Sequence, residues 1–213
     1  MIFIDTNIII DAAWPLNSNN AACRYILALN NVWIPEPCIE EAKQRLPKLT
    51  EESSRKRAEM YNVIGIFNRQ VRKNIEASLL TPWKQIVAEQ SLRNGTAVDL
   101  LIPQSRIQKV TPDALVWQAK FLAMTSRGRE FGAGFDTSRT ERPLLGFNDA
   151  LIAGIVIASW VQQRDKTTNG ATLLSKNGDF KAIIDMLEQE KIKCVVHPVD
   201  FAKSQGWIPQ KDC

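Results

Sequence analysis

The sequence predicts an α/β protein built on a parallel sheet. Three observations carry this: short aliphatic runs near both ends that read as buried strands, helical periodicity between them, and a carboxylate standing where three of those runs stop. The β-α alternation occupies residues 1–48 and 145–200. Residues 50–145 read as mostly helical, an insertion within one domain that spans 1–213.

Met1-Ile2-Phe3-Ile4 barely alternates, as expected of a strand covered on both faces, and it stops at Asp5. Thr6-Asn7 leads into Ile8-Ile9-Ile10, either a first helical turn or a tight loop against the sheet. Within Asn17-Ser18-Asn19-Asn20 any member can cap a helix from about 21 to 29, and Asn30-Asn31 can end it. Residues 32–35 form a second strand, and Pro37 opens a helix through 46. Thr50-Glu51-Glu52-Ser53 starts a longer helix to about 78, with Ala58, Tyr61, Ile64, Phe67 and Val71 on one face. Another helix runs over 82–92, and Thr111-Pro112-Asp113 begins the next. Residues 127–147, with four glycines and few aliphatics, read as a long loop. Asn148 caps an apolar helix through 160, with Asp149 in its first turn. A strand at 171–175, a helix at 179–190 and a strand at 194–197 complete the chain.

Composition narrows the function. A hydrophobic fraction of 45% and a charged fraction of 23% over 213 residues belong to a globular protein. No apolar run reaches the roughly 18 residues that span a bilayer, and the opening strand is too short for a signal-peptide core, so the expectation is a cytoplasmic protein with no membrane partner. Cys23, Cys38, Cys194 and Cys213 form no C-x-x-C pair and read as free thiols. His197 is the single histidine, which excludes chemistry that needs two. From Lys43 to Arg142 there are 18 Lys+Arg against 10 Asp+Glu, a net of +8, while the remainder carries 9 against 13, a net of −4. Such a split suits a polyanionic substrate drawn toward an acidic, metal-loaded centre.

That centre is suggested by Asp5, Glu41 and Asp179 after strands and Asp149 at a helix start. Each acid alone is explained by capping or solvation. Together, placed where parallel sheets bind ligands, they point to one pocket whose mutual repulsion a cation relieves.

Asp5-Thr6-Asn7 after the first strand, Glu41 six residues past Pro35, Asn148-Asp149-Ala150-Leu151-Ile152-Ala153, and Leu174-Ser175-Lys176-Asn177-Gly178-Asp179-Phe180 together resemble the PIN-domain ribonucleases. The resemblance covers about 1–48 and 145–200 and not the middle. It implies a PIN-like parallel sheet of four to five strands flanked by helices, with Mg²⁺ or Mn²⁺ held by Asp5, Glu41, Asp149 and Asp179. Asn7 and Ser175 match the polar neighbours that steady such a site; Glu40 competes with Glu41, and Asn177 stands where many members carry a further aspartate. The implied activity is hydrolysis of RNA by a metal-activated water, as in the toxins of type II toxin-antitoxin pairs. An RNA substrate, an antitoxin protein and a second copy of the chain are the implied partners.

Arg55, Lys56 and Arg57 on the long helix, and Arg139 and Arg142 in the loop before Asp149, are the expected nucleic-acid contacts. The competing readings are a PIN-like RNA- or protein-binding module with weak catalysis and a structure-specific DNA nuclease. A haloacid-dehalogenase-type phosphatase lacks its second aspartate, since Asn7 occupies that place, and no G-x-G-x-x-G follows a strand.

Overall fold

The computed structural model describes residues 1–93, 96–130, 145–164, 170–176 and 178–209, with the side chains of 126–130, 178, 179 and 181 outside the description. Five strands, β1 (Ile2–Ile4), β2 (Val32–Pro35), β3 (Ile107–Gln108), β4 (Ala171–Leu174) and β5 (Ile192–Val195), form one sheet in the order β3-β2-β1-β4-β5. Every pairing is parallel. β1 is central: Ile2 stands opposite Val32 on one side and Thr172 on the other, and all three of its side chains are buried. The chain winds outward from β1 through β2 to β3 and then crosses back to β4 and β5. Its direction of travel therefore reverses between β1 and β4.

Helices fill the crossovers. α1 (Thr6–Ala13) and α2 (Asn20–Ala28) join β1 to β2, and α1 packs against α2 and α3 (Glu36–Ile64). Ile8, Ile9 and Ile10 are helical and buried, which decides between the two readings of that triplet. α3 is one helix of 29 residues that runs straight through Pro47, where the sequence predicts two helices. Burial holds the helix together on both sides of the proline: Leu46, Thr50 and Ser53 are buried, Thr50 Oγ1 donates within the helix to the Leu46 carbonyl (3.0 Å), and Trp83 Nε1 donates across from α5 to Ser53 Oγ (2.7 Å). α3 also ends earlier than its periodicity suggests, because Asn68 caps a new helix by accepting from Val71 N (3.0 Å).

That helix, α4 (Arg69–Ile75), continues through a π-helical turn (Glu76–Leu80) into α5 (Thr81–Arg93), followed by α6 (Thr96–Leu101) and β3. Val87, Val98, Ile102 and Phe121 from this middle segment share one core with the strands. The segment also supplies an edge strand, with Ile107 opposite Ile34.

α7 (Pro112–Glu130) and α8 (Phe147–Val161) precede β4. α8 is apolar almost all round and buried from Ile152 to Trp160, as a helix enclosed by protein should be. After β4, a 3₁₀ segment (Gly178–Ile183) leads into α9 (Ile184–Gln189), β5 begins two residues earlier than expected, and His197 precedes α10 (Pro198–Ser204) instead of ending a strand. Among the described residues no helix is long and apolar enough to cross a membrane.

α7 and α8 pack closely against each other. A Cβ at Gly154 would lie 2.3 Å from the Ala114 carbonyl oxygen and 3.2 Å from Gln118 N, both backbone atoms, and Gln118 Nε2 donates to the Phe147 carbonyl at the head of the same contact (3.1 Å). Alanine is the better helix former by about 1 kcal/mol, so helix propensity and packing oppose each other at this position. We expect Gly154→Ala to lower stability by about 1–3 kcal/mol in urea titration, the range for overpacking a close contact. A stabilised variant would show that α7 and α8 separate readily.

Candidate active site

β1 and β4 are in register with Ile4 opposite Leu174, so the residues that follow them, Asp5 and Ser175, emerge side by side. Asp5 N donates to the Leu174 carbonyl (3.0 Å) and holds this alignment. The place is the reversal point of the sheet, where α/β proteins open a crevice beyond the strand ends. Asp5 is only 3% exposed and caps α1. Its Oδ1 accepts from Thr6 N (2.7 Å), and its Oδ2 accepts from Ser175 Oγ (2.9 Å) and Asn7 Nδ2 (3.2 Å).

Glu41 reaches the same neighbourhood from the first turns of α3. Its Oε2 accepts from Thr6 Oγ1 (2.9 Å), and its Oε1 pairs with Arg45 one turn on (3.2 Å). Thr6 thus touches both acids, through its main chain and through its hydroxyl. Glu40, a step of about 100° around the helix, is exposed, and its charge acts on Lys43.

Burial drives the Asp5 pKa above the usual aspartate value of 3.8; the donors Ser175, Thr6 and Asn7 pull it back, and the charge of Glu41 pushes it up again. Cys38 lies beneath the pair, and burial followed by the charge of Asp5 pushes its thiol well above 9. Burial likewise raises Cys23 to about 12 and Cys194 to about 11, so these three free thiols are protonated and unreactive at neutral pH.

Asp149 sits half-buried in the first turn of α8, where the helix dipole favours a negative charge. Its Oδ2 lies 2.7 Å from where a Cβ on Gly146 would stand, so the carboxylate folds back over the head of its own helix and a glycine there makes room for it. The side chain of Asp179, and Asn177, Arg139 and Arg142, lie outside the described residues. Among the described residues no group of three or more His, Cys, Asp or Glu is arranged to hold a metal ion. The structure joins Asp5, Asn7, Ser175 and Glu41 into one bonded network.

The basic cluster on α3 is elsewhere. Arg55 lies fourteen residues beyond Glu41, about 21 Å along the helix axis at 1.5 Å per residue. Arg55 and Lys56 pair with Glu59 (3.8 Å) and Glu52 (2.8 Å) of their own helix, and Arg57 stands 5.5 Å from the Tyr61 ring centroid.

Sequence reasoning missed a second polar network beside the first. Asp11, 5% exposed, accepts from Asn17 Nδ2 (2.6 Å) on Oδ1, and from Asn19 Nδ2 (3.2 Å) and Lys176 Nζ (3.0 Å) on Oδ2. Asn19 does stand at the N-cap of α2, but its side chain, like that of Asn17, serves this acid and makes no capping bond. Thr6, between Asp5 and Asn7 in the motif, was also passed over.

No family model and no curated protein matches the sequence. Among solved structures, the chain is similar to FitAB bound to an IR36 DNA fragment, at 15% identity over 92% of this chain and 94% of that one, with a TM-score of 0.43.

The forces on Asp5 have opposite signs that carboxyl ¹³C NMR can separate. Asp5 should titrate above 3.8, Glu41→Gln should lower its pKa, and Ser175→Ala should raise it further. The native carboxyl binds its proton more tightly than the unfolded one, so stability falls as pH rises from the ordinary aspartate range through the native pKa. Asp5→Asn should therefore melt higher than the wild type at pH 7, by about 2–4 °C for each kcal/mol relieved, with the gap closing in acid. A normal Asp5 titration would contradict this account.

Proposed function

We propose that this chain is a metal-dependent endoribonuclease that hydrolyses RNA phosphodiester bonds. One observation carries the reading: at the reversal point of the sheet, a buried carboxylate is offset by neutral donors alone and linked through Thr6 to a second carboxylate. Asp11, buried to a similar degree on the same helix, has Lys176 as its counter-charge. Among the described residues no basic side chain is bonded to Asp5. A buried acid left in this state is suited to a cation from solution.

The donor set fits a hard divalent ion. Mg²⁺ and Mn²⁺ prefer carboxylate oxygens, and Mg²⁺ keeps several waters when one or two acids hold it. Asp5 and Glu41 would hold it, with Asp149 and Asp179 as the further acids that the resemblance to PIN-domain ribonucleases assigns. When bound, such an ion lowers the pKa of its water and stabilises charge on the attacking and leaving oxygens. Ser175 and Asn7 fix one oxygen of Asp5, Thr6 fixes the other, and the same threonine orients Glu41. Attack on phosphorus with departure of the 3′-oxygen leaves a 5′-phosphate and a 3′-hydroxyl.

RNA approach falls to the segment of net charge +8, Arg55, Lys56, Arg57, Arg139 and Arg142 included. Given the 21 Å interval, Arg55–Arg57 would grip the strand far from the cut. A toxin role, an antitoxin partner and a homodimer rest on the resemblance alone. A second reading is a PIN-like RNA- or protein-binding module with weak catalysis.

Incubation of the purified chain with single-stranded RNA or DNA, with Mg²⁺, Mn²⁺ or EDTA, separates these readings. Cleavage of RNA should require the metal. Asp5→Asn, Glu41→Gln and Asp149→Asn should each lose on the order of 10²–10³-fold in rate, as when one preorganised charge-stabilising group is removed. Full metal-dependent activity in the aspartate variants would overturn the site, cleavage of DNA alone would favour a DNA nuclease, and no cleavage of either nucleic acid would favour the binding module.

A further inference from the structure

A cleft of about 350 Å³ opens beyond the carboxyl ends of β4 and β5, between the starts of α2 and α10. Asn19, Lys176, Val196, His197, Pro198 and Asp200 are among the residues that line it, and neither Asp5 nor Glu41 does. Lys176 is positioned by the buried network on one side, through its 3.0 Å contact with Asp11 Oδ2, and its side chain is 40% exposed on the other. An ammonium has three donors, so Asp11 leaves two for a ligand. Val196, 38% exposed, and Pro198 give the facing wall an apolar surface beside the imidazole of His197.

We infer that this cleft is a nucleotide subsite, in which Lys176 takes a phosphate and the wall of Val196, His197 and Pro198 takes the attached base. The volume lies within the range of small-ligand pockets, and an apolar wall with a few convergent polar groups is the usual composition of such sites. Asp200 repels a phosphate, which directs the phosphate to the Lys176 end and leaves Asp200 and Asn19 to meet donors and acceptors on the base. The cleft also adjoins the acids: Ser175 donates to Asp5, and the next residue, Lys176, enters the cleft. Consecutive residues at the end of β4 thus serve the reacting phosphate and a neighbouring nucleotide. The place of the subsite in a cleavage reaction rests on the nuclease reading; nucleotide binding itself does not.

His197 is the single histidine of 213 residues, so its imidazole proton signals in NMR identify themselves. The full chain is titrated with AMP and CMP, and in parallel with adenosine and inorganic phosphate. The nucleotides should shift the His197 signal saturably, adenosine and phosphate at least several-fold more weakly. Lys176→Met should weaken nucleotide binding on the order of tenfold, the loss of one charge-assisted contact. Because that variant leaves Asp11 without its cation and can fail to fold, Val196→Glu is the second: an exposed apolar side chain of the wall that takes the base is replaced by a charged one, with a similar loss expected. Asp5→Asn should bind AMP as the wild type does. The subsite is refuted by no saturable shift, by a shift unchanged in Val196→Glu, by equal binding of inorganic phosphate, or by loss of the shift in Asp5→Asn. Saturable binding in a chain that cuts no nucleic acid would keep the subsite and remove the nuclease; cleavage without the His197 shift would do the reverse.

Discussion

A carboxyl group held inside the protein where the strand order reverses organises this structure. Removing a carboxylate from water is expensive unless its lone pairs are satisfied, and Asp5 satisfies them with donors from two separate pieces of chain. Thr6 and Asn7 belong to the helix that starts immediately after β1, whereas Ser175 is delivered by β4 and arrives only if β1 and β4 pair in the observed register. A slip of one residue would turn the serine hydroxyl away from the carboxylate. Sheet order, helix start and acidic pair are therefore one constraint seen at three scales.

α1 offers its own control for this reasoning. It is bounded by Asp5 and carries Asp11 six residues later, both buried, and the two are treated differently. Asp11 has an ammonium and two amides, a closed network that ties the β4 end to the α1–α2 loop. For Asp5, burial raises the pKa most, three neutral donors oppose it, and the charge of Glu41 adds a smaller push in the same direction as burial. A fold selected for stability alone would have no reason to bring Glu41 toward a buried aspartate. Strain of this electrostatic kind is typical of functional positions, where pKa values are displaced by design of the surroundings.

The parts legible in the sequence were those written locally. β1 is a short aliphatic run because both of its faces are covered, and α8 is apolar all round because protein surrounds it. That Asp5, Asn7 and Ser175 would come together was legible because they flank strands directly. What escaped was written at long range. β3 has two residues, too few to show a period. α3 passes through Pro47 with Leu46, Thr50 and Ser53 buried and Ser53 bonded to Trp83, 30 residues on, which a local breaker rule ignores. Thr6 is inconspicuous until Glu41, 35 residues later, is brought to its hydroxyl. The α3 cations looked like a substrate face, yet two of them already pair with acids one turn away on the same helix.

The hydrogen bond from Ser175 to Asp5 spans 170 residues of sequence, and the contact from Lys176 to Asp11 spans 165. Contacts of such separation close late, since the intervening chain must be ordered first. During synthesis Asp5, Thr6 and Glu41 emerge first, and Ser175 and Lys176 follow only after the helices between them have been made. The growing polypeptide thus carries two acids without the strand that shapes them into a pocket. Until Ser175 has been made, the carboxyl of Asp5 lacks one of the donors that hold it.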